Sequence, residues 1–180
     1  MSGEEKRRGN AVRLVSFREG EREAAGVRLG DRVVPVSALG GFPDDAAALC
    51  AGGVAGLARL SVAAAAAPAS ASRPLASLSL GMPIPRPGKL VCIGLNYALH
   101  AKEGGNPIPD YPAVFLRTQS SLTGPDTPLL RPACSDKLDY EAELAIIIGP
   151  RARNVAEEKA LDHVAGYSLF NDGSVRDYQR

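Results

Sequence analysis

A chain of 180 residues and 18.8 kDa suits one domain, or one domain with a small appendage. With 45% apolar and 23% charged residues it has ordinary globular composition, which excludes wholesale disorder, a collagen-like repeat and a disulfide-rich scaffold. Lys plus Arg number 21 against 20 for Asp plus Glu, so a net charge of +1 leaves no electrostatic footprint for nucleic acid or an anionic membrane. The three cysteines, Cys50, Cys92 and Cys134, are widely spaced and form no CxxC pair, so they read as reduced thiols in a cytoplasmic protein.

Residues 1–10 are polar, lack the apolar stretch of a signal peptide and read as a solvated tail. From residue 11 the pattern predicts short strands at 12–17, 25–29 and 32–36, with Gly30-Asp31 as hairpin chemistry between the last two. Residues 44–60 are rich in Ala and Leu and predict one or two short helices interrupted at Gly52-Gly53. The longest apolar run, residues 62–68, is far short of the about 20 residues a spanning helix needs. Residues 61–87 lose periodicity and read as an Ala/Ser/Pro-rich linker, so a small β-rich domain at 11–60 precedes a second unit at 88–180.

The second unit opens with a strand at 89–94 that reads as buried, followed by a short helix at 96–103 stopped by Gly104-Gly105. Residues 114–116 and 129–130 predict further short strands, and 139–148 a long one ended by Gly149-Pro150. Asn154 with Glu157 three residues on resembles a capping box, predicting a helix over 155–163; a last strand follows at 166–171. There is no internal repeat and no phosphate-binding glycine signature, and the unit reads as mostly β.

Three groups of residues carry chemical interest. Glu141 and Glu143 are two apart on a predicted strand, hence on one face, with an apolar run after them. Paired carboxylates there repel and lose hydration; a hard divalent cation with a taste for oxygen ligands resolves the conflict. A solvent-facing acidic stripe is the alternative. Asp172, at the end of a strand in Asn171-Asp172-Gly173, offers a third carboxylate, although that tripeptide is also ordinary turn chemistry. His100 and Glu103 lie at i, i+3 of a helical turn, where a carboxylate raises the basicity of an imidazole and orients it as a general base; a surface helix pair is the alternative. His163 falls near a helix C-terminus and reads as structural.

The order of these motifs is more specific than any one of them. Gly94-Leu95-Asn96-Tyr97 with His100 and Glu103, then Leu138-Asp139-Tyr140-Glu141-Ala142-Glu143-Leu144, then Val164-Ala165-Gly166-Tyr167 leading to Asn171-Asp172 and Arg176-Asp177-Tyr178-Gln179, strongly resembles the fumarylacetoacetate hydrolase family over residues 89–180. The resemblance implies a mostly β, α+β fold, the family's mixed β-roll, preceded by the small leading domain of many bacterial members. It implies a homodimer acting on a small keto acid with Mg2+ or Mn2+. Carried over residue by residue, it makes Glu141, Glu143 and Asp172 the metal ligands, His100 with Glu103 the dyad that activates water, and Arg176 and Gln179 substrate contacts. Three carboxylates would leave open positions on the ion for the oxygens of a 2-oxo acid, toward which the ion acts as a Lewis acid.

The activity expected is hydrolysis of a carbon–carbon bond in an acylpyruvate-like 2,4-dioxo acid. An oxaloacetate-type decarboxylase or a hydroxymuconate-type isomerase is the alternative within the family. Because the family continues beyond Gln179 with a lysine-containing segment, the sequence also reads as C-terminally truncated, and a catalytically incomplete fragment is the rival from another class.

Overall fold

The computed structural model describes residues 11–103, 105 and 107–179; the expected tail at 1–10 lies outside the described residues, as do the side chains of His100 and Glu103. The described chain divides into two units, residues 11–85 with 124–179, and residues 86–123.

The first unit begins with an antiparallel sheet of β1 (Leu14–Glu19), β2 (Arg22–Leu29), β3 (Arg32–Pro35) and β4 (Arg73–Pro74), hydrogen-bonded in that order. Gly30, at φ 64°, makes the tight β2–β3 turn, as the Gly30-Asp31 pair predicts. Alternation along the strands sorts their side chains onto two faces. Ala25, Val27, Val34 and Val36 pack with Leu49, Leu57, Leu60 and Ala64 of two helices, α1 (Ala46–Ala51) and α2 (Gly53–Ala66). Phe17, Ala24 and Val33 cover the other face with Leu75, Leu78 and Leu80. Phe17, Val33 and Leu60 are fully buried, each contributing about 1.5–3 kcal/mol relative to an exposed position. The helix start is set by Asp45, whose carboxylate accepts from Ala48 N at 2.8 Å.

The segment expected to be a linker is built into this unit. Residues 61–66 are the last turns of α2, held because Leu60 and Ala64 reach the sheet. Arg73–Pro74 pair with β3, and residues 79–81 run along β1 through Arg18 N to Ser79 O at 2.9 Å and Gly81 N to Ser16 O at 2.8 Å. Low periodicity here marks a chain stitched to a sheet edge rather than a free spacer.

The rest of the first unit consists of two-stranded ribbons. β7 (Leu138–Asp139) pairs with β10 (Ser174–Val175), and β8 (Ala142–Ile148) pairs with β9 (Val164–Asn171). The single strand expected over 139–148 is therefore two. The Asp139 carboxylate takes Tyr140 N at 2.9 Å, and the Asn171 amide oxygen takes Glu141 N at 3.0 Å, so the chain changes partner there. Residues 129–130 form no strand, and 157–163 form a 3-10 helix capped at Ala156 with no side-chain hydrogen bond. Asn154 is not its cap: at φ 52° it occupies the left-handed turn before it. The β8–β9 ribbon meets α1 at Gly149, where an added Cβ would collide with the Cys50 carbonyl and the Ala165 methyl.

The second unit pairs β5 (Leu90–Gly94) with β6 (Ala113–Arg117) in antiparallel register and carries a third helix, α3 (Ala98–Glu103). β5 is half exposed rather than buried: Val91 and Ile93, with Val114 and Leu116 opposite them, form an exposed apolar face. Leu95 holds φ 54° in the turn before α3, an uncommon conformation for a branched side chain. Among the described residues no helix is long and apolar enough to cross a membrane.

Candidate functional site

The β8–β9 register brings the predicted carboxylates together. Glu143 stands opposite Phe170, and Ala142 opposite Asn171. One step further, Asp172 N donates to Glu141 O at 2.8 Å, which continues the ladder beyond the named strands. Residues directly opposite share a face, so Glu141, Glu143, Phe170 and Asp172 lie on one side of the ribbon, at its end. This is the less exposed side: Glu141 and Glu143 are half-buried and Asp172 is 7% exposed. The opposite side carries Leu144, Ile146, Ile148, Tyr167 and Leu169, all exposed.

Arg176 completes the cluster. It follows the short β7–β10 pairing, and its backbone N donates to Lys137 O at 3.0 Å. The guanidinium reaches Asp139 Oδ2 through Nε at 3.1 Å and Nη2 at 2.9 Å, and Nη1 donates to Gln179 Oε1 at 2.8 Å. The same Nη1 lies 3.2 Å from Glu141 Oε1. That contact is an ion pair without hydrogen-bond alignment, and Glu141 Oε1 is buried with no hydrogen-bond partner. Thus the two predicted substrate contacts, Arg176 and Gln179, touch each other, and Arg176 touches a predicted metal ligand.

Below them Ser135, 6% exposed, donates to Asp177 Oδ1 at 2.7 Å and accepts from Lys137 N at 3.0 Å. Its carbonyl accepts from Arg131. Ser135 and Asp139 are positioning residues that sequence reasoning missed. Asp139 had a signal, since it precedes Glu141 by two residues; Ser135 in its loop had none. Tyr178 beside Cys134 has its hydroxyl pKa raised by a hydrogen bond to that thiol and, less, by desolvation.

The donor set fits a hard divalent cation in kind: carboxylate oxygens on one face, one of them buried without a hydrogen bond. Their oxygens are not drawn into one cluster. Among the described residues no three His, Cys, Asp or Glu side chains form a metal-holding group. The backbone of α3 supplies the helical turn that the i, i+3 spacing of His100 and Glu103 requires; their side chains are outside the described set. His163 is structural: its carbonyl accepts from Gly149 N at 3.0 Å and its ring lies 3.4 Å from Pro150 O. A groove of about 530 Å³ lined by residues that include Arg18, Glu23, Leu78, Met82 and Asp126 contains none of these carboxylates.

The fold thus presents a β-ribbon whose end carries acidic residues on one face beside a tethered arginine. The match to known proteins is specific: residues 89–180 fit the family model described as fumarylacetoacetate (FAA) hydrolase, C-terminal, and the chain belongs to that family. The mitochondrial oxaloacetate tautomerase fahd2 of Xenopus laevis is 45% identical over 103 residues, 57% of this chain and 32% of that protein. The maleylpyruvate hydrolase of Sphingobium, solved with manganese(II) and pyruvate, superposes with a TM-score of 0.72 at 34% identity, over 91% of this chain and 59% of that one. The 2-hydroxyhepta-2,4-diene-1,7-dioate isomerase of Mycobacterium marinum gives 0.67 at 25% identity, over 94% and 57%. The chain therefore spans about a third of that curated relative, at 32%, and under three fifths of these solved chains, at 59% and 57%. Its fold is the family's mixed fold of sheets and few helices.

Proposed function

We propose that this chain carries the carboxylate site of a divalent-metal-dependent hydrolase that cleaves a carbon–carbon bond in an acylpyruvate-like 2,4-dioxo acid. The observation that carries the reading is the β8–β9 register, which sets Glu141, Glu143 and Asp172 on one face beside Arg176. These three residues would hold Mg2+ or Mn2+; the manganese and pyruvate bound by the related maleylpyruvate hydrolase support both the ion and the substrate class. The ion supplies Lewis acidity toward the oxygens of a 2-oxo acid. The chain's own groups do the rest. Arg176 and Gln179 pair with the anionic substrate, and His100, oriented by Glu103, takes a proton from the water that attacks the distal carbonyl. A homodimer and a cytoplasmic setting belong to the same reading.

A second reading, decarboxylation of an oxaloacetate-type acid or isomerisation of a hydroxymuconate-type or oxaloacetate-type acid, is favoured by the similarity to an oxaloacetate tautomerase and a dienedioate isomerase. The same carboxylates serve it without attack by water. The test compares the purified chain with its His100→Ala variant in Mn2+. Hydrolysis predicts pyruvate release from an acylpyruvate, slowed about 10²–10⁴-fold by the substitution with Mn2+ binding spared. Tautomerisation of oxaloacetate with no pyruvate released from an acylpyruvate would select the second reading, and turnover unchanged in His100→Ala would remove His100 as the base.

A further inference from the structure

We infer that Arg176 is the built-in counter-ion of the carboxylate site, and that a divalent cation and the Arg176–Glu141 pair exclude one another. The inference rests on the metal-site reading above and adds the residue that regulates it.

Glu141, Glu143 and Asp172 share one face, with Asp139 beside them at the start of the segment, and four carboxylates there repel. Arg176 touches both Asp139 and Glu141. The two contacts differ in kind. Asp139 receives two aligned donors on one oxygen, at 2.9 and 3.1 Å, whereas Glu141 meets Nη1 at 3.2 Å without alignment. The guanidinium is thus anchored on Asp139 and leans on Glu141.

The backbone that carries the guanidinium is fixed. Arg176 N is held by Lys137 O, the neighbouring Asp177 side chain by Ser135, and the preceding residues by the β7 pairing. The group that can move is the Glu141 side chain: its swing breaks the unaligned contact, while the rigid, planar guanidinium keeps its bonds to Asp139 and Gln179. Glu141 Oε1 is also the buried oxygen that lacks a hydrogen bond, so losing Arg176 leaves it to accept a metal ion with no other partner to displace. A cation next to the guanidinium would repel it, and the guanidinium cannot be neutralised at ordinary pH.

Arg176 therefore acts on the metal through Glu141, as a positioning residue. Removing it takes away a competitor, so Arg176→Met should bind Mn2+ more tightly than the parent chain. A partly exposed pair is worth about 0.2–1 kcal/mol, which converts to an affinity gain of up to about fivefold. Loss of the counter-ion should also lower the melting temperature of the metal-free variant, and saturating Mn2+ should restore it by a larger increment than in the parent.

The experiment is calorimetric titration of Mn2+ into the parent chain, Arg176→Met and Glu141→Gln. A parallel Mg2+ titration follows the Arg176 Nε–Hε resonance by NMR, assigned with Arg176→Lys. Tighter binding by Arg176→Met, together with a resonance that shifts as Mg2+ saturates the parent, supports the inference. Equal or weaker binding by Arg176→Met, or a resonance that does not move while Mg2+ binds, overturns it and leaves the metal site standing. No Mn2+ binding by the parent or by either variant overturns the metal-site reading and this inference with it. Retained parent affinity in Glu141→Gln removes Glu141 both as a metal ligand and as the shared residue, and overturns the three-carboxylate reading together with the inference.

Discussion

The four-stranded sheet and the β8–β9 ribbon are made of similar residues and end in opposite environments. β2 and β3 place Ala25, Val27, Val33 and Val34 at 0–2% exposure, against helices on one face and the 75–80 segment on the other. β8 is just as rich in branched aliphatics, yet Leu144, Ile146 and Ile148 stand 55–57% exposed and Leu169 across from Leu144 reaches 89%. Apolar content alone decides neither burial nor stability; a second layer does. The acidic residues sit on the ribbon's other face, so the candidate site rests on the part of the chain with the thinner packing. Its attachment to the better-packed part is local, at Gly149 against Cys50 and at Ala165 against the helical core.

The contrast can be broken by truncating matched side chains. Leu60→Ala, at a fully buried position, should cost about 2–5 kcal/mol in urea unfolding, while Leu144→Ala on the exposed ribbon face should stay within about 0.5 kcal/mol. Equal losses would show that the ribbon face is covered in solution. The attachment itself is sharpened by Gly149→Ala, which should cost about 1–3 kcal/mol because the new methyl meets a backbone carbonyl that cannot rotate away. A neutral result would mean that ribbon and helix separate readily.

The smallest effect concerns thiols. Burial, and then the charge of Asp45, raises the Cys50 pKa above the ordinary thiol range. Because the folded state keeps this thiol neutral, its contribution to stability is full below the unfolded-state pKa and is lost as pH rises through the folded value. Parent and Cys50→Ala should therefore converge in stability as pH rises above the unfolded thiol pKa of about 8.5, with the parent losing more. Exposed Cys134 should react with a thiol reagent well before Cys50 at neutral pH, and similar rates would contradict the burial of α1 against the sheet.

The parts of the fold that were legible in the sequence are the ones with local causes. Gly30-Asp31 closes a hairpin by backbone preference, and Gly52-Gly53 separates two helices for the same reason. The shared face of Glu141 and Glu143 follows from strand alternation, and the motif order pointed to the family that the comparison establishes. What was not legible depends on distant partners. The break between β7 and β8 needs the Asn171 side chain to capture Glu141 N, 30 residues away in sequence. The continuation of α2 to Ala66 needs the sheet under Leu60 and Ala64, because an alanine run has no periodicity to read. Arg176 was assigned to substrate by resemblance, but its contact with Glu141 arises only when the β7–β10 pair forms.

The central claim is that Glu141, Glu143 and Asp172 form one cation site, and Mn2+ calorimetry on the 180-residue chain tests it most directly. The account predicts one ion bound per chain, tightened by oxalate, with affinity lost by more than about 100-fold in Glu141→Ala and in Glu143→Ala, beyond the 10–100-fold typical of outer-sphere partners. Parent-like Mn2+ affinity in either variant would contradict it.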